Sequence, residues 1–348
     1  MRFLVCIALA AVAFAVSAWL TRRFCDPDSI VYMLDHPNER SLHDRPVPRG
    51  GGLAILGAVY ACGLAAVYLL NQHMSFSGGI IAGAGLLVAG VSYIDDRFTL
   101  PSGIRFIVHM TAATLLVFAG IALNRLELAG LSFSLPHWTG VVFTLLFVVW
   151  MLNLYNFMDG MDGFAGGMTI FGFGTFAFLG LLAGDMFFST LNLIIAAAAM
   201  GFLLFNFPPA RIFMGDAGSS TLGFLAASMS LWAAHAQLFP LWVAVLVFSP
   251  FIVDATVTLI WRLLRGEKIW QAHKTHYYQK LVQAGWGHRR TVLLEYAVML
   301  GCGATALWAV HAPDKMQLVV LAGWALFYSV FFYRVSRLAA RHHKTGTL

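Results

Sequence analysis

Three clusters of carboxylates and one loop of arginine and histidine stand out in a chain of 348 residues that is otherwise poor in charge. The first cluster is Ser92-Tyr93-Ile94-Asp95-Asp96-Arg97. Adjacent carboxylates repel, and at the edge of an apolar segment the pair costs stability unless a cation neutralises it. Hard divalent cations take oxygen ligands, and magnesium usually combines one or two carboxylates with substrate phosphate oxygens. A solvated helix end with Arg97 as partner would account for the same residues. The second cluster runs from Asn153 through Asn156, Asp159-Gly160 and Asp162-Gly163 to Gly167. On helical spacing Asp159 and Asp162 share a face, one turn after Asn156, and the glycines permit tight turns and close approach to a ligand. An aspartate- and glycine-rich connector is the plainer alternative, but a connector rarely needs three such groups in register. The third is Phe213-Met214-Gly215-Asp216-Ala217-Gly218-Ser219-Ser220. Here Asp216 opens a helix, either as its N-cap or as a carboxylate holding a metal where a phosphate would bind.

Two further stretches are basic. Gln271-Ala272-His273-Lys274-Thr275-His276-Tyr277-Tyr278-Gln279-Lys280, with Ala284-Gly285-Trp286 after it, reads either as an amphipathic surface helix on anionic lipid or as a clamp for an anionic, ring-bearing substrate. Asp35 to Gly52 carries Arg40, His43, Arg45 and Arg49 among prolines and glycines, which rule out a helix and indicate a shaped loop. These cations would suit lipid headgroups in general or one phosphate in particular. Asp254 and Glu295 lie within apolar segments, where a carboxylate is a functional candidate by default.

The elements that must position these residues are membrane helices. The composition is 59% hydrophobic and 11% charged, against roughly 25% charged for a soluble domain, so lipid is the solvent in which such a chain is stable. A span needs ~20 mostly apolar residues. About eleven segments qualify at that approximate length: 3–20, 50–70, 78–94, 103–121, 139–155, 167–183, 188–205, 220–236, 240–262, 291–310 and 317–333. The fold expected is all-α and polytopic. With Met1 outside, 19 of the 22 lysines and arginines fall in cytoplasmic segments, and Arg2, Arg125 and Lys315 stay outside. That is the positive-inside bias, and it places the N-terminus in the periplasm and the C-terminus in the cytoplasm. The same orientation puts every carboxylate cluster at the cytoplasmic end. Residues 3–20 end in small residues like a signal peptide, but cleavage would export the arginines that follow, so an uncleaved first helix is expected. The four cysteines show no zinc or disulfide spacing.

Together these residues resemble the polyprenyl-phosphate N-acetylhexosamine-1-phosphate transferases. The resemblance rests on Asp35 to Gly51, Asp95-Asp96, Asn156 with Asp159 and Asp162, and Gly215-Asp216, in family order across most of the chain. It implies a single transferase domain over 1–348, with site loops 21–49, 95–102, 156–166, 206–219 and 263–290 and a basic tail, 334–348. It implies transfer of sugar-1-phosphate from a UDP-N-acetylhexosamine to undecaprenyl phosphate at the bacterial inner membrane, with Mg2+, or Mn2+ in its place. Asp95, Asp96 and Asp216 would then be catalytic, Asp95 as a base on the lipid phosphate or its orienting group, with Asp216 and Asp96 on the metal. Asn156, Asp159, Asp162 and His276 would meet the nucleotide and sugar, while Arg40, His43, Arg45 and Arg49 would meet the lipid phosphate. Membrane lipids are further partners, a homodimer is compatible with the family, and nucleic acid is not expected. Many relatives carry H-x-H-H where this chain has His276-Tyr277-Tyr278-Gln279. That departure points toward enzymes initiating O-antigen or lipopolysaccharide synthesis and leaves the sugar open. Two rivals fit less well. A CDP-alcohol phosphatidyltransferase would need two more spaced aspartates after Asp162, and a secondary transporter would place carboxylates near the bilayer midplane.

Overall fold

Apolar stretches of this length can satisfy their backbone in lipid only as helices or closed barrels, and helices are what form. A computed structural model describes the protein over residues 1–37, 41–72, 75–268 and 273–345. The helices are α1 (Arg2–Phe24), α2 (Gly51–Leu69), α3 (Phe76–Phe98), α4 (Ser102–Phe118), α5 (His137–Met158), α6 (Phe164–Leu182), α7 (Met186–Asn206), α8 (Asp216–His235), α9 (Leu241–Val247), α10 (Ser249–Leu264), α11 (Tyr277–Leu281), α12 (Gly287–Ala309) and α13 (Asp314–Thr345). Every apolar segment read from the sequence holds a helix, but the helices are not alike. Among the described residues eight are long and apolar enough to cross a membrane, one of them running through Tyr277–Ala309, and α9 with α10 would make a ninth. The short α4 and the interior α8 stand outside that count.

The bend between α9 and α10 is 81°, and it has a local cause. Pro250 has no N–H to donate and crowds the carbonyl four residues back. That carbonyl belongs to Leu246, and the Ser249 hydroxyl donates to it at 2.7 Å. The helix therefore breaks with its freed acceptor satisfied.

At the centre lies α8, packed against α2, α3 and α5. Its surface is mostly glycine, alanine and serine, and nearly every residue is buried. In lipid, helices associate by close van der Waals packing rather than by escape from water, which favours small residues at contacts. Gly223 shows how close: a Cβ there would lie 2.5 Å from the Met151 carbonyl oxygen on α5. The hydroxyls of Thr221, Ser228 and Ser230 donate to carbonyls four residues back, so none is left bare in the interior.

Two antiparallel hairpins interrupt the helical pattern. β1 (Met33–Asp35) pairs with β2 (Val47–Arg49) in the register Met33↔Arg49 and Asp35↔Val47. β3 (Arg125–Leu128) pairs with β4 (Leu131–Ser134) between α4 and α5. The ends of α3, α5 and α7 and the starts of α8 and α12 meet at the end of the bundle that carries β1–β2. The candidate site is built there.

Candidate active site

The site is assembled from helix ends. Successive positions on a helix point about 100° apart, so Asp95 and Asp96, at the end of α3, face different neighbours. Asp96 turns inward and is 3% exposed. Its Oδ1 accepts the Asp216 N–H at 3.1 Å and its Oδ2 the Ala217 N–H at 3.1 Å. A carboxylate there caps the free N–H groups of α8 and meets the positive end of its dipole. Arg49 Nη1 lies 3.5 Å from Asp96 Oδ1, and Arg49 Nη2 donates to the Asp96 backbone carbonyl. Asp95 turns toward α4. It accepts the Leu100 N–H at 2.6 Å and pairs with Arg105 at 3.2 Å. Arg105 also reaches Asp216, at 3.8 Å.

From sequence, Asp216 could cap α8. In the structure the N-cap is Gly215, Asp216 is the first helical residue, and the capping carboxylate is that of Asp96. The borrowed cap leaves the Asp216 side chain free to line a cavity.

The second aspartate cluster departs from its expected geometry. α5 stops at Met158 and α6 starts at Phe164, so Asp159 and Asp162 lie in the connecting turn rather than on one helix face. Several bonds hold that turn. Asn206 Oδ1 accepts the Gly163 N–H at 2.9 Å while its Nδ2 donates to Ile212 O at 2.8 Å. Tyr296 donates to Gly163 O at 2.6 Å, and Tyr278 donates to Phe157 O at 3.2 Å. Asp162 accepts the Ala210 N–H at 3.0 Å, and its Oδ1 lies 3.1 Å from His288 Nδ1. The other ring nitrogen of His288 is 3.2 Å from Leu42 O, which ties α12 to the first loop. Asn156 donates to Ser219 Oγ at 3.1 Å, beside the cavity. Loss of bulk water, followed by the charges of Asp216, Asp96, Asp35 and Asp162, holds the Asp159 carboxyl well above the usual carboxylate range.

The β1–β2 hairpin closes the remaining side. His43 Nε2 lies 3.4 Å from Asp35 Oδ2, its Nδ1 is 2.9 Å from Arg45 O, and its ring meets Phe213 edge-on at 4.9 Å. The hairpin is stitched to the loop before α8 by Phe213 N–H to Pro48 O, Gly51 N–H to Phe213 O and Gly52 N–H to Met214 O, at 2.8, 3.0 and 2.9 Å. Close approach at that seam requires glycine, since a Cβ on Gly52 would meet Gly218 Cα at 2.2 Å.

The result is an open cavity with five carboxylates on its wall, Asp35, Asp96, Asp159, Asp162 and Asp216, beside His43, Arg49 and His288. A basic groove adjoins it, carrying Arg45, Arg211 and Arg289. Among the described residues no three His, Cys, Asp or Glu side chains converge as a ready-made metal cage. Of the residues singled out in the sequence, the structure brings Asp96, Asp159, Asp162, Asp216, His43 and Arg49 to this cavity, with Asn156 bonded alongside. Asp95 stands behind the wall, and Arg45 is exposed in the groove. His276 is elsewhere. It is 2% exposed and pairs with Asp254 at 3.2 Å, and Asp254 also accepts the N–H groups of Tyr277 and Tyr278 at 3.0 Å each. Asp254 thus caps α11, while Glu295 is buried on α12 and does not line the cavity. Arg40 lies outside the described residues. The residues not anticipated are Asp35 as a lining group, Arg105, Asn206 and His288. Asp35 and Arg105 were visible as charges near the other clusters, whereas nothing local ties His288 to Asp162.

Sequence comparison shows which known proteins the chain is similar to. Residues 79–234 match the profile of glycosyl transferase family 4. The chain is 32% identical over 301 residues to a probable undecaprenyl-phosphate N-acetylglucosaminyl 1-phosphate transferase of Bacillus subtilis, covering 85% of this chain and 83% of that protein. It is 33% identical to a decaprenyl-phosphate N-acetylglucosaminephosphotransferase of Mycobacterium leprae, over 83% of this chain and 81% of the relative. It is 27% identical to an undecaprenyl-phosphate alpha-N-acetylglucosaminyl 1-phosphate transferase of Yersinia pestis, over 88% and 86%. The matched profile takes in Asp96, Asp159, Asp162 and Asp216, and with the 32% identity over 85% of its length the chain belongs to the polyprenyl-phosphate N-acetylhexosamine-1-phosphate transferase family.

Proposed function

We propose that the protein is a magnesium-dependent transferase that moves N-acetylhexosamine-1-phosphate from a UDP-sugar to undecaprenyl phosphate and releases UMP. The observation that carries this reading is the convergence of five carboxylates from four segments on one cavity at the end of a membrane bundle. Such an excess of negative charge is stable when cations fill it. The donor set suits a hard cation, since Asp96 and Asp216 offer oxygen and magnesium needs only one or two carboxylates beside phosphate oxygens; manganese would accept the same ligands. When bound, the ion would supply charge neutralisation for the diphosphate and the departing UMP.

The chain's own residues do the rest by positioning, which is most of what phosphoryl transfer asks of a protein. A phosphate monoester has a second pKa of about 6, so the lipid phosphate is largely dianionic at neutral pH and needs no base. Its oxygen attacks the sugar-bearing phosphorus of the donor. A new phosphorus–oxygen bond joins lipid phosphate to sugar phosphate, and the bond to UMP breaks. Arg49, on the cavity wall, would meet the phosphates, and Asp95 would hold Arg105 beside Asp216 rather than take a proton. Asn156, Asp159 and Asp162 shape the nucleotide side, with His288 bracing Asp162. His43 steadies Asp35 and the hairpin.

The three relatives are all named for N-acetylglucosamine, which makes its UDP derivative the first donor to test. The product would initiate an envelope glycan such as O-antigen. The charge distribution along the chain supports a cytoplasmic site in the bacterial inner membrane, with the N-terminus periplasmic. The test is UMP release by membranes containing the protein, given undecaprenyl phosphate, a panel of UDP-N-acetylhexosamines, and magnesium or EDTA. Magnesium-dependent release with one donor is expected. No release with any donor, from folded protein, would overturn the proposal and favour transport.

A further inference from the structure

A second cavity, of about 880 Å3, lies between α10 and α13 and shares no lining residue with the carboxylate cavity. Two helical stripes form its walls. On α13 Leu321, Trp324, Tyr328, Phe332 and Ser336 recur at spacings of three and four, and Val253, Val257 and Trp261 on α10, with Arg265 at its C-cap, recur at four. Facing stripes of this kind normally interdigitate. Here Ser249 Oγ at the start of α10 lies 2.8 Å from Tyr328 OH on α13, and the Tyr277 ring of α11 stacks on Phe332 at 3.9 Å. The space beside these contacts is left open. Only 17% of the apolar window of α13 is buried, so this helix stands at the bilayer edge and the gap opens toward lipid.

The rim of the gap is charged. Arg262, Arg265 and Lys280 stand there with Glu267 as the one carboxylate. Arg262 pairs with Glu267 at 3.3 Å, and Lys280 sits 4.0 Å above the Tyr277 ring. Arg265 makes no ion pair among the described residues, and the hydroxyls of Thr275 and Ser336 flank the opening. From Leu321 to Ser336 the α13 wall runs roughly 22 Å at 1.5 Å per residue. One leaflet of a bilayer offers roughly 15 Å of hydrocarbon, so an acyl chain entering at the rim would stay in the groove along its length.

We propose that this groove is a binding site for one anionic diacyl phospholipid, its phosphate at Arg265 and Lys280 and a chain between α10 and α13. Two cations in excess of carboxylate at the mouth favour an anionic over a zwitterionic headgroup, and the aromatic wall gives the chain van der Waals contact. The groove shares no lining residue with the carboxylate cavity, and a diacyl lipid rather than the reacting polyprenyl phosphate is the occupant assigned to it. The site would clamp α13 onto the body of the protein.

The test is native mass spectrometry of the full chain, released from bilayers of equal anionic and zwitterionic phospholipid with identical acyl chains. Wild type is expected to retain one anionic lipid with at least a tenfold preference. Arg265→Glu should cut that preference to within twofold, and Ser329→Trp, which fills the groove, should abolish retention. UMP release in neutral detergent should be unchanged for Arg265→Glu, which shows that its fold is intact. Equal retention of both lipids, an unaltered preference in Arg265→Glu, or stoichiometric displacement by undecaprenyl phosphate would each overturn the assignment. Should Ser329→Trp fail to fold, the Arg265→Glu comparison alone decides.

Discussion

Replacing Gly52 by alanine tests whether the seam between the first loop and α8 sets the catalytic geometry. The new methyl would lie 2.2 Å from Gly218 Cα, 2.6 Å from Gly218 N and 2.9 Å from Met214 O. All three are backbone atoms, so no side chain can swing away. Carbon atoms sit comfortably at about 3.5–4.0 Å, so α2 and α8 must part by roughly 1 Å or more. That movement stretches the Gly51 and Gly52 N–H bonds to Phe213 and Met214 and carries Arg49 away from Asp96. Overpacking of this kind costs about 1–3 kcal/mol of stability. A 1 Å misplacement of catalytic groups costs on the order of 10²-fold in rate. The expected outcome for Gly52→Ala is therefore a folded protein, with a lower detergent melting temperature and UMP release reduced by about two orders of magnitude. The control is Gly83→Ala on α3, where a Cβ meets nothing within 4 Å and activity should stay at the wild-type level. Wild-type turnover in Gly52→Ala would refute the reasoning.

Three other outcomes follow from the same geometry. Asp96→Asn and Asp216→Asn should each lower kcat on the order of 10²-fold or more while raising the magnesium needed for half-maximal rate, because each removes a negative charge that would hold the cation against the diphosphate; a magnesium titration of UMP release reads both effects. His288→Ala removes the bridge between Asp162 and Leu42 O, so KM for the nucleotide-sugar should rise about tenfold, the scale of one hydrogen bond to a charged group, with kcat much less affected. Asp254→Ala leaves the N–H groups of Tyr277 and Tyr278 without their acceptor, at a cost of about 1–3 kcal/mol for an unsatisfied buried group. Thermal unfolding should show that loss, and Asp254→Asn, which keeps one acceptor oxygen, should recover part of it.

What the sequence determined by itself follows from solvent and covalent neighbourhood. Long apolar runs required membrane helices, and the uneven lysines and arginines pointed to one working end. The types and spacing of Asp95-Asp96, Asp159, Asp162 and Asp216 indicated phosphate chemistry with a hard cation. These are properties of composition and of residues adjacent in the chain, so they survive unfolding on paper. The tertiary structure decided which member of each cluster lines the cavity. Asp96 lines the cavity and Asp95 does not, because a helix turns neighbouring side chains about 100° apart and the packing of α3 against α8 chooses between them. Asp216 is free to point at the cavity because its helix is capped by Asp96 from α3. Asp159 and Asp162 came together through a turn braced by Asn206 and His288 rather than through helical register. His276, which resemblance placed at the substrate, is held by Asp254 instead. Each of these outcomes depends on contacts between residues tens to hundreds of positions apart, and spacing along the chain carries no information about them.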